Sequence, residues 1–266
     1  MNPKSVLKGR GAQLNVPNRF FEFSHEIRDD FLEFCNKEGE NPDKRKTQYL
    51  EVFPKTIVNK LKSPDVGMMY SLNAYQGCEH GCIYCYARNT HEFWGYSPGL
   101  DFERRILVKK NAPKLLEAFI KKKSWKACPI VMSGNTDCYQ PAEQIYKITR
   151  QSLEVFLKYK HPVGIITKNA LILRDLDILK ELAKDNLISV SVSITSLSEK
   201  TRRILEPRTA TIKRRLEIVK TLTDNNVPVN VMMAPIIPSI NSHEILPLAK
   251  AASENGASSI GHTIVR

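Results

Sequence analysis

Hydrophobic and polar residues alternate along most of the chain with two different periods. Short runs with period two predict six strands, at 69–75, 129–133, 163–167, 187–194, 227–233 and 258–265. Between them, apolar residues recur every three to four positions and predict amphipathic helices at 113–123, 143–159, 171–184, 211–223 and 243–254. Strands that alternate with helices predict a parallel sheet with right-handed crossovers. Two α/β architectures fit: an open doubly wound sheet or an incomplete βα barrel.

The predicted fourth strand favours the barrel. One of its faces carries Ile188, Val190, Val192 and Ile194, and the other carries Leu187, Ser189, Ser191 and Ser193. A strand covered by helices on both faces would be apolar on both, so the serines suit a face that lines a polar cavity. An edge strand with a solvated face would give the same pattern. We predict a partial (β/α)6 TIM-like barrel.

Residues 1–66 show no clear period, and their aromatic residues occur in patches beside a charged stretch at 36–46. We predict an N-terminal extension that packs on a core domain of residues 67–266. Because the sequence stops at Arg266, directly after the last predicted strand, we expect a partner or further sequence to cover the open side of the barrel.

Composition adds a strong positive charge. Forty Lys and Arg against 28 Asp and Glu give a net charge of +12, which indicates an acidic partner such as nucleic acid, a redox protein or an anionic substrate. The basic runs at 109–110, 121–123 with Lys126, 202–203 and 213–215 are candidate contact surfaces. No apolar run approaches the ~20 residues of a membrane-spanning helix. The N-terminus lacks the apolar core of a signal peptide, so we predict a cytoplasmic protein.

Three of the six cysteines lie close together, as Cys78, Cys82 and Cys85 in a C-x3-C-x2-C pattern. Soft thiolates suit iron–sulfur chemistry, and three of them can each bind one corner of a cubane. Gly77 and Gly81 permit the positive φ angles of a wrapping loop. The loop follows the first predicted strand of the βα array, at the end where such barrels place their sites. The spacing predicts a [4Fe-4S] cluster with one iron that has no protein ligand.

Two other interpretations fit the same cysteines. Their positions would share one face of a helix, although the glycines oppose a stable helix there. A Cys3His zinc site completed by His80 or His91 is the second alternative, and it would make the chain a non-catalytic module that binds nucleic acid.

The cysteine pattern, with Tyr84 just before the last cysteine, resembles the signature of the radical S-adenosylmethionine (radical SAM) superfamily. The likeness spans about residues 67–266. Four segments resemble the branch of spore photoproduct lyase, especially its uncharacterised members: 82–88, 133–137, 167–168 and 206–209.

This resemblance implies an enzyme whose [4Fe-4S] cluster binds S-adenosylmethionine at the open iron. One electron then cleaves the cofactor to methionine and a 5′-deoxyadenosyl radical, which abstracts hydrogen from a substrate. The substrate is unknown, and nucleic acid is one candidate. An acidic flavodoxin or ferredoxin is the electron donor that the resemblance and the basic charge favour.

The resemblance also implies cofactor contacts at the strand ends. Ser133, Asn135, Thr136 and Asp137 follow the second strand, where the family binds the methionine amino group. Lys168 would pair with the methionine carboxylate, Ser191 or Ser193 with ribose or carboxylate, and Pro235 and Tyr84 with adenine. Arg208 is a further candidate. Simpler roles compete with each assignment: a turn or helix cap for Ser133 and Thr136, a solvated lysine for Lys168, and a surface pair with Glu206 for Arg208.

Cys138 is the one candidate for a catalytic group, because the lyase supplies a hydrogen-donor cysteine near the end of its second strand. Its position is offset from that place, and a buried structural cysteine is the competing interpretation.

Overall fold

The computed structural model describes residues 7–20, 46–61 and 70–265. In this range the strands are β1 (Gln48–Val52), β2 (Val58–Lys60), β3 (Tyr70–Leu72), β4 (Tyr75–Gln76), β5 (Arg105–Lys109), β6 (Ile130–Met132), β7 (Val163–Thr167), β8 (Ile188–Ser193), β9 (Val229–Ile236) and β10 (Ser259–Ile264). The predicted boundary between residues 66 and 67 lies outside the described residues, as do Cys35 and most of the aromatic residues of the extension.

The helices are α1 (Leu100–Arg104), α2 (Ala112–Ile120), α3 (Ala142–Tyr146), α4 (Ile148–Lys158), α5 (Leu176–Lys184), α6 (Glu199–Leu205), α7 (Ile212–Asp224) and α8 (Ile245–Glu254). Shorter 3-10 helices cover Tyr86–Trp94, Ala170–Asp175 and Ser242–Glu244. Within the described ranges, no helix is long and apolar enough to cross a membrane.

The main sheet has the strand order β10-β9-β8-β7-β6-β3-β2. From β3 to β10 every neighbouring pair is parallel, and each strand lies beside the strand that precedes it in this sheet. A doubly wound sheet would reverse its direction of growth once, whereas a barrel winds in one direction. The predicted partial (β/α)6 barrel is therefore confirmed. Among the described strands β2 and β10 are the two edges, so the barrel is not closed.

Strand β8 lies in the interior of this sheet, which excludes the edge-strand interpretation. Ile188, Val190 and Val192 are buried in the main core beside residues of α5 and α7. On the opposite face Ser189 is exposed and Ser191 is half-buried. The serine face therefore lines the open, concave side of the sheet, as its alternation predicts.

Two elements differ from the prediction. The predicted helix 143–159 is two helices, because Lys147 between α3 and α4 adopts a left-handed conformation with φ of 52°. The first predicted strand is also divided: β3 lies in the main sheet, whereas β4 pairs with β5 in a second, three-stranded sheet of order β1-β5-β4. This small sheet shows that the predicted extension contributes regular structure at β1, and β2 joins the main sheet beside β3.

Candidate functional site

The three cysteines lie on a loop that follows β4 and crosses the carboxyl ends of the central strands. Gly77 and Gly81 have φ angles of 81° and 67°, a region that L side chains rarely adopt. The buried side chain of Gln140 spans the loop: its Nε2 donates to the Gly77 carbonyl at 3.0 Å, and its Oε1 accepts from the Glu79 amide at 3.1 Å. Gln140 therefore fixes the loop on both sides of Cys78.

The thiols themselves are shielded from solvent. Cys78 and Cys82 are each 8% exposed, and Cys85 is half-buried. Burial raises the pKa of the Cys82 thiol to about 12, and burial with the nearby Asp137 carboxylate raises the pKa of Cys78. These sites favour the neutral thiol, so thiolates form here only when a bound cationic group compensates their charge. A cluster of iron ions supplies that charge, and soft thiolates are its preferred ligands. The donor set fits a [4Fe-4S] cluster.

The histidines offer little to a zinc ion. The His80 Nδ1 lies 3.4 Å from Asp137 Oδ2, and its Nε2 lies 3.3 Å from the Asn169 amide nitrogen, so both ring nitrogens already have partners. His91 is fully buried against the rings of Tyr96 and Phe102, and burial lowers its pKa to about 4. In the part of the chain that the structure describes, no group of three His, Cys, Asp or Glu side chains is arranged around one metal ion. A cubane does not require such a group, because each thiolate binds a different iron.

A buried carboxylate stands between the cysteine loop and the end of β7. Glu206 accepts hydrogen bonds from the Tyr84 hydroxyl and from Thr195 Oγ1, the latter at 2.7 Å. Its oxygens also lie 2.6 Å from Arg215 Nη2 and 3.3 Å from Lys168 Nζ. Burial alone would raise the pKa of Glu206, but Lys168 and Arg215 lower it well below the usual range. Glu206 is therefore ionised and orients both Lys168 and Tyr84.

Two basic residues from the predicted surface runs are buried. Arg215 is 1% exposed and also donates to the Ser193 carbonyl at 2.9 Å, while Arg202 is 7% exposed and donates to the Glu206 carbonyl. A buried carboxylate and buried carbonyls hold these guanidiniums, which are therefore structural. The prediction of surface runs at 202–203 and 213–215 was wrong at these two positions, and that at 109–110 was wrong at the buried Lys109.

The segment after β6 packs tightly on the segment after β3. The Asn73 side chain accepts from the amides of Asn135 and Thr136, at 2.8 and 3.3 Å. Thr136 is buried and donates its hydroxyl to the Tyr75 carbonyl, and Ser133 accepts from the Cys138 amide. Thr136 and Ser133 thus have the contacts of a turn, which was the competing interpretation for them, while Asn135 is half-buried.

Asp137 connects three elements. Its carboxylate accepts from Thr167 Oγ1 and the Lys168 amide, both at 2.8 Å, and lies beside His80. It also accepts from the Tyr139 amide at 2.8 Å. With these donors in place, Asp137 sets the backbone of Lys168 and the position of the cysteine loop rather than offering free oxygens to the cavity.

The other predicted contacts occupy different surroundings. Ser191 and the buried Ser193 lie on the concave face of β8, and Pro235 is buried near the end of β9, where its carbonyl accepts from Asn241. Arg208 instead pairs with Glu79 at 3.5 Å, and its amide donates to the His80 carbonyl. The partner of Arg208 is therefore Glu79 on the cysteine loop, and not Glu206 as the competing interpretation had it.

Cys138 is 1% exposed and lies in the main hydrophobic core, where burial raises the pKa of its thiol. These are the surroundings of a structural cysteine and not of a group that meets a substrate. The structure does not support the catalytic prediction for Cys138.

Several residues of the site carry no sequence signal of their own. Gln140, Asn73, Thr195 and Arg215 are common polar residues outside the motif, and only their contacts with the loop and strand ends reveal them.

Two curated proteins are similar to this chain in sequence. An uncharacterised protein of Mycobacterium tuberculosis is 31% identical over 217 residues, 79% of this chain and 64% of that protein. One of Methanocaldococcus jannaschii is 32% identical over 195 residues, 73% of this chain and 70% of that protein. The chain thus spans just under two thirds of the length of the mycobacterial relative.

Solved structures of spore photoproduct lyase have a similar fold. A lyase variant with bound AdoMet and dinucleoside spore photoproduct matches with a TM-score of 0.63 at 14% identity, over 89% of this chain and 74% of that one. Another lyase variant matches with a TM-score of 0.60 at 15% identity, over 85% and 69%.

A sequence model of the radical SAM superfamily matches residues 72–252, which include the cysteine loop and every strand of the main sheet from β6 to β9. Enzymes of this superfamily use a [4Fe-4S] cluster and S-adenosylmethionine and need a reductant. The predicted superfamily is confirmed, with the cofactors that its members use, as are the likeness to uncharacterised proteins and the likeness of this chain's fold to that of the lyase. This chain belongs to the radical SAM superfamily.

Proposed function

We propose that Cys78, Cys82 and Cys85 bind three irons of the cluster and that the chain cleaves S-adenosylmethionine reductively to start radical chemistry on a substrate. The observation that carries this proposal is the loop of three thiols, two buried and one half-buried, across the carboxyl ends of the parallel strands. When bound, the cluster supplies the electron that cleaves the sulfonium bond, and the resulting deoxyadenosyl radical abstracts hydrogen. The chain's own residues bind, orient and enclose the reactants.

The contacts of Lys168 support a role in cofactor binding. Lys168 and Arg215 both face the Glu206 carboxylate, and all three side chains are at most 16% exposed. Because Lys168 shares this carboxylate with Arg215 and an ammonium has three N–H donors, it can bind a second carboxylate, and the methionine moiety of the cofactor has one. We propose that Lys168 binds it.

The remaining contacts follow the geometry of the concave face. We propose that Asn135 and backbone carbonyls near Ser133 accept from the methionine amino group, that Ser191 and Ser193 contact ribose, and that the backbone at Pro235 and the ring of Tyr84 contact adenine. Thr136 and Asp137 act as positioning residues in this scheme, because their polar atoms already bind protein groups. Arg208 is left out, because it pairs with Glu79 outside the cavity.

Two measurements on the anaerobically reconstituted protein test the proposal. We expect about four irons per chain and a reduced-cluster EPR signal that changes when S-adenosylmethionine is added. Full iron content and full cleavage activity in Cys82→Ala would contradict the assignment of the cluster ligands. A colourless protein with one zinc would favour the alternative of a non-catalytic zinc module that binds nucleic acid.

Lys168→Met tests the carboxylate contact by calorimetry on the reconstituted protein. We expect the affinity for S-adenosylmethionine to fall roughly tenfold or more, the typical loss for a buried charge-assisted bond. Lys160→Met, at a side chain that is 76% exposed, is the matched control. Equal affinity in both variants would remove Lys168 from the site.

We propose an acidic flavodoxin or ferredoxin as the reductant, supported by the net charge of +12. Reduction by such a donor is expected to slow as salt rises, because exposed charges are screened. Charge reversal at the exposed Lys213 and Arg214 tests that surface. Unchanged reduction would exclude it as the docking site.

We further propose that the substrate is related to nucleic acid. The positive charge supports this, as does a fold shared with a lyase that is solved with a dinucleoside photoproduct. Affinity for single-stranded or duplex DNA is expected to fall steeply with salt. No binding at low salt would count against this substrate class.

A further inference from the structure

An N-terminal segment lies along the outer side of the cysteine loop, before the first residue that the superfamily model matches. We call residues 9–19 the strap. Its backbone and side chains bind the region just after the cysteines: Leu100 donates its amide to the Leu14 carbonyl at 3.2 Å, and the Val16 amide donates to Ser97 Oγ at 2.8 Å. Asn15 and Asp101 form a reciprocal pair at 3.0 and 2.8 Å. The strap is thus ordered on the body of the protein by a continuous series of contacts.

The strap touches the cysteine loop at one glycine. A Cβ added at Gly11 would lie 1.9 Å from the Gly81 carbonyl oxygen and 3.1 Å from Ile83 Cγ2. Gly81 and Ile83 flank Cys82 in the sequence. Two backbones therefore meet at Gly11 and Gly81 without room for any side chain. The strap lies directly against the backbone beside the buried Cys82, while the side chain of Ile83 is 47% exposed.

Glu103 joins the strap and the loop. Its carboxylate is fully buried and accepts from the amides of Gly11 and Ala12, at 3.2 and 2.7 Å. The same carboxylate binds Arg88 Nη2 at 2.7 Å, and that nitrogen also donates to the Cys82 carbonyl at 2.9 Å. Strap and cysteine loop are hence connected through one carboxylate and the Arg88 guanidinium.

A second close approach lies on the opposite side of the strap. A Cβ at Gly99 would lie 2.2 Å from the Leu14 carbonyl oxygen. This glycine belongs to the body of the protein, whereas Gly11 belongs to the strap. Gly11 packs on Gly81, and Gly99 packs on Leu14. Substitution at either position disturbs the docking of the strap, once from the strap and once from the body.

We propose that the strap is part of the cluster site: it covers the outer side of the cysteine loop and keeps oxygen and chelators away from the cluster, with Gly11 and Glu103 as positioning residues. This inference rests on the proposed function. It assigns a role in the site to residues outside the matched domain.

The test compares four glycine variants, each reconstituted with iron and sulfide. Gly11→Ala and Gly99→Ala break the strap contact. Gly256→Ala is the control for lost stability, because that residue has a φ of 89° and its Cβ would lie 2.6 Å from Thr223, in a turn after α8. Gly261→Ala is the neutral control, with nothing within 4 Å of its added Cβ.

Two readouts are needed. Hydrogen exchange on the cluster-free protein is expected to show lost protection at the strap amides, including Ala12, in Gly11→Ala and Gly99→Ala only. In the loaded protein, cluster absorbance in air and in the presence of an iron chelator is expected to decay roughly tenfold faster in these two variants. Gly256→Ala is expected to lose stability and yet bleach at the wild-type rate.

Several outcomes would overturn the inference. Unchanged exchange in both strap variants would show that the contact does not hold the strap, and lost protection without faster bleaching would show that the strap does not shield the cluster. Equal bleaching in Gly256→Ala would assign the effect to general stability. A wild-type chain that holds no cluster would instead refute the proposed function, and the shielding role with it, while the exchange result on strap docking would stand.

Discussion

A sequence motif predicts some residues of the site, whereas others can be identified only from their contacts in the folded structure. The C-x3-C-x2-C pattern located the cysteine loop, because ligand spacing is local in sequence. The residues that hold the loop come from distant positions: Gln140 lies 63 residues from Gly77, and Glu206 lies 122 residues from Tyr84. No local pattern encodes such pairs. For the same reason Asp137 was predicted as a cofactor ligand, whereas its oxygens bind the protein.

Arg215→Met tests the buried pair with Glu206. The variant leaves a buried carboxylate without its guanidinium, so we expect the free energy of unfolding to fall by about 3 kcal/mol or more. Arg214→Met is the matched control, because the neighbouring guanidinium is half exposed and pairs with Glu217 on the helix surface, worth under about 1 kcal/mol. Urea unfolding of both variants measures the difference. Equal losses would show that the pair is not a structural centre.

Lys109 is a second buried charge, with a measurable dependence on pH. It donates to the Asn73 carbonyl at 2.9 Å, and burial lowers its pKa from 10.5 to about 8. Between these values the unfolded chain binds a proton that the folded chain does not. The free energy of unfolding is therefore expected to rise with pH across this window, by at most about 1.4 kcal/mol for each pH step of one.

Lys109→Met is expected to remove this pH dependence. The free energy of unfolding of the variant, minus that of the wild type, should therefore be greatest near pH 7 and decline as the pH rises from 8 to 10.5. Lys110→Met, at the exposed neighbour, is expected to show a constant difference. Urea unfolding at several pH values checks this, and a pH-independent difference for Lys109→Met would contradict it.

At the scale of elements, periodicity located every parallel strand of the main sheet to within a few residues. The fourth strand was the most informative, since Ser191 on one face and Val190 on the other already implied a cavity opposite a helix layer. The small sheet was missed because β4 has two residues and β1 pairs with a strand 57 positions away. The break at Lys147 was also missed, because no glycine or asparagine marks its left-handed conformation.

Helix α7 gives a test at this scale. Its N-cap, Thr211, accepts from the Arg214 amide through its side chain. Thr211→Ala is expected to lower the free energy of unfolding by about 1 kcal/mol, while Thr211→Ser keeps the hydroxyl and stays close to wild type. Thermal unfolding of the two variants compares them directly. A similar loss for both would point to the lost methyl group instead of the cap.

At the scale of the whole molecule, the cysteine loop joins parts that are far apart in sequence. It contacts residues after β6, β7 and β8 through His80 and Tyr84. The sequence predicted the family and the barrel from one motif and one periodicity, but the division at residue 66 stays a prediction. We continue to propose that residues 1–66 form an extension that packs on the core.

Because the loop bridges these parts, the cluster is expected to stabilise the whole domain. A bound group that the unfolded chain lacks raises stability by its binding free energy. Anaerobic removal of iron by a chelator is expected to lower Tm by several degrees. For a chain of this size, each kcal/mol lost from the free energy of unfolding lowers Tm by about 4 °C or less. The Cys82→Ala variant serves as the permanently depleted control. Identical Tm values with and without iron would show that the loop is fully held by protein contacts.

The contact between Gly11 and Glu103 also has a consequence for biogenesis. It closes a span of 92 residues, and the strap leaves the ribosome long before the loop and the carboxylate that receive it. The strap cannot dock before the chain has been synthesised through Glu103. Its docking also needs the cysteine loop in place, because Gly11 packs on Gly81. We therefore expect the strap to dock late in folding, after the cysteine loop and Glu103 have come together.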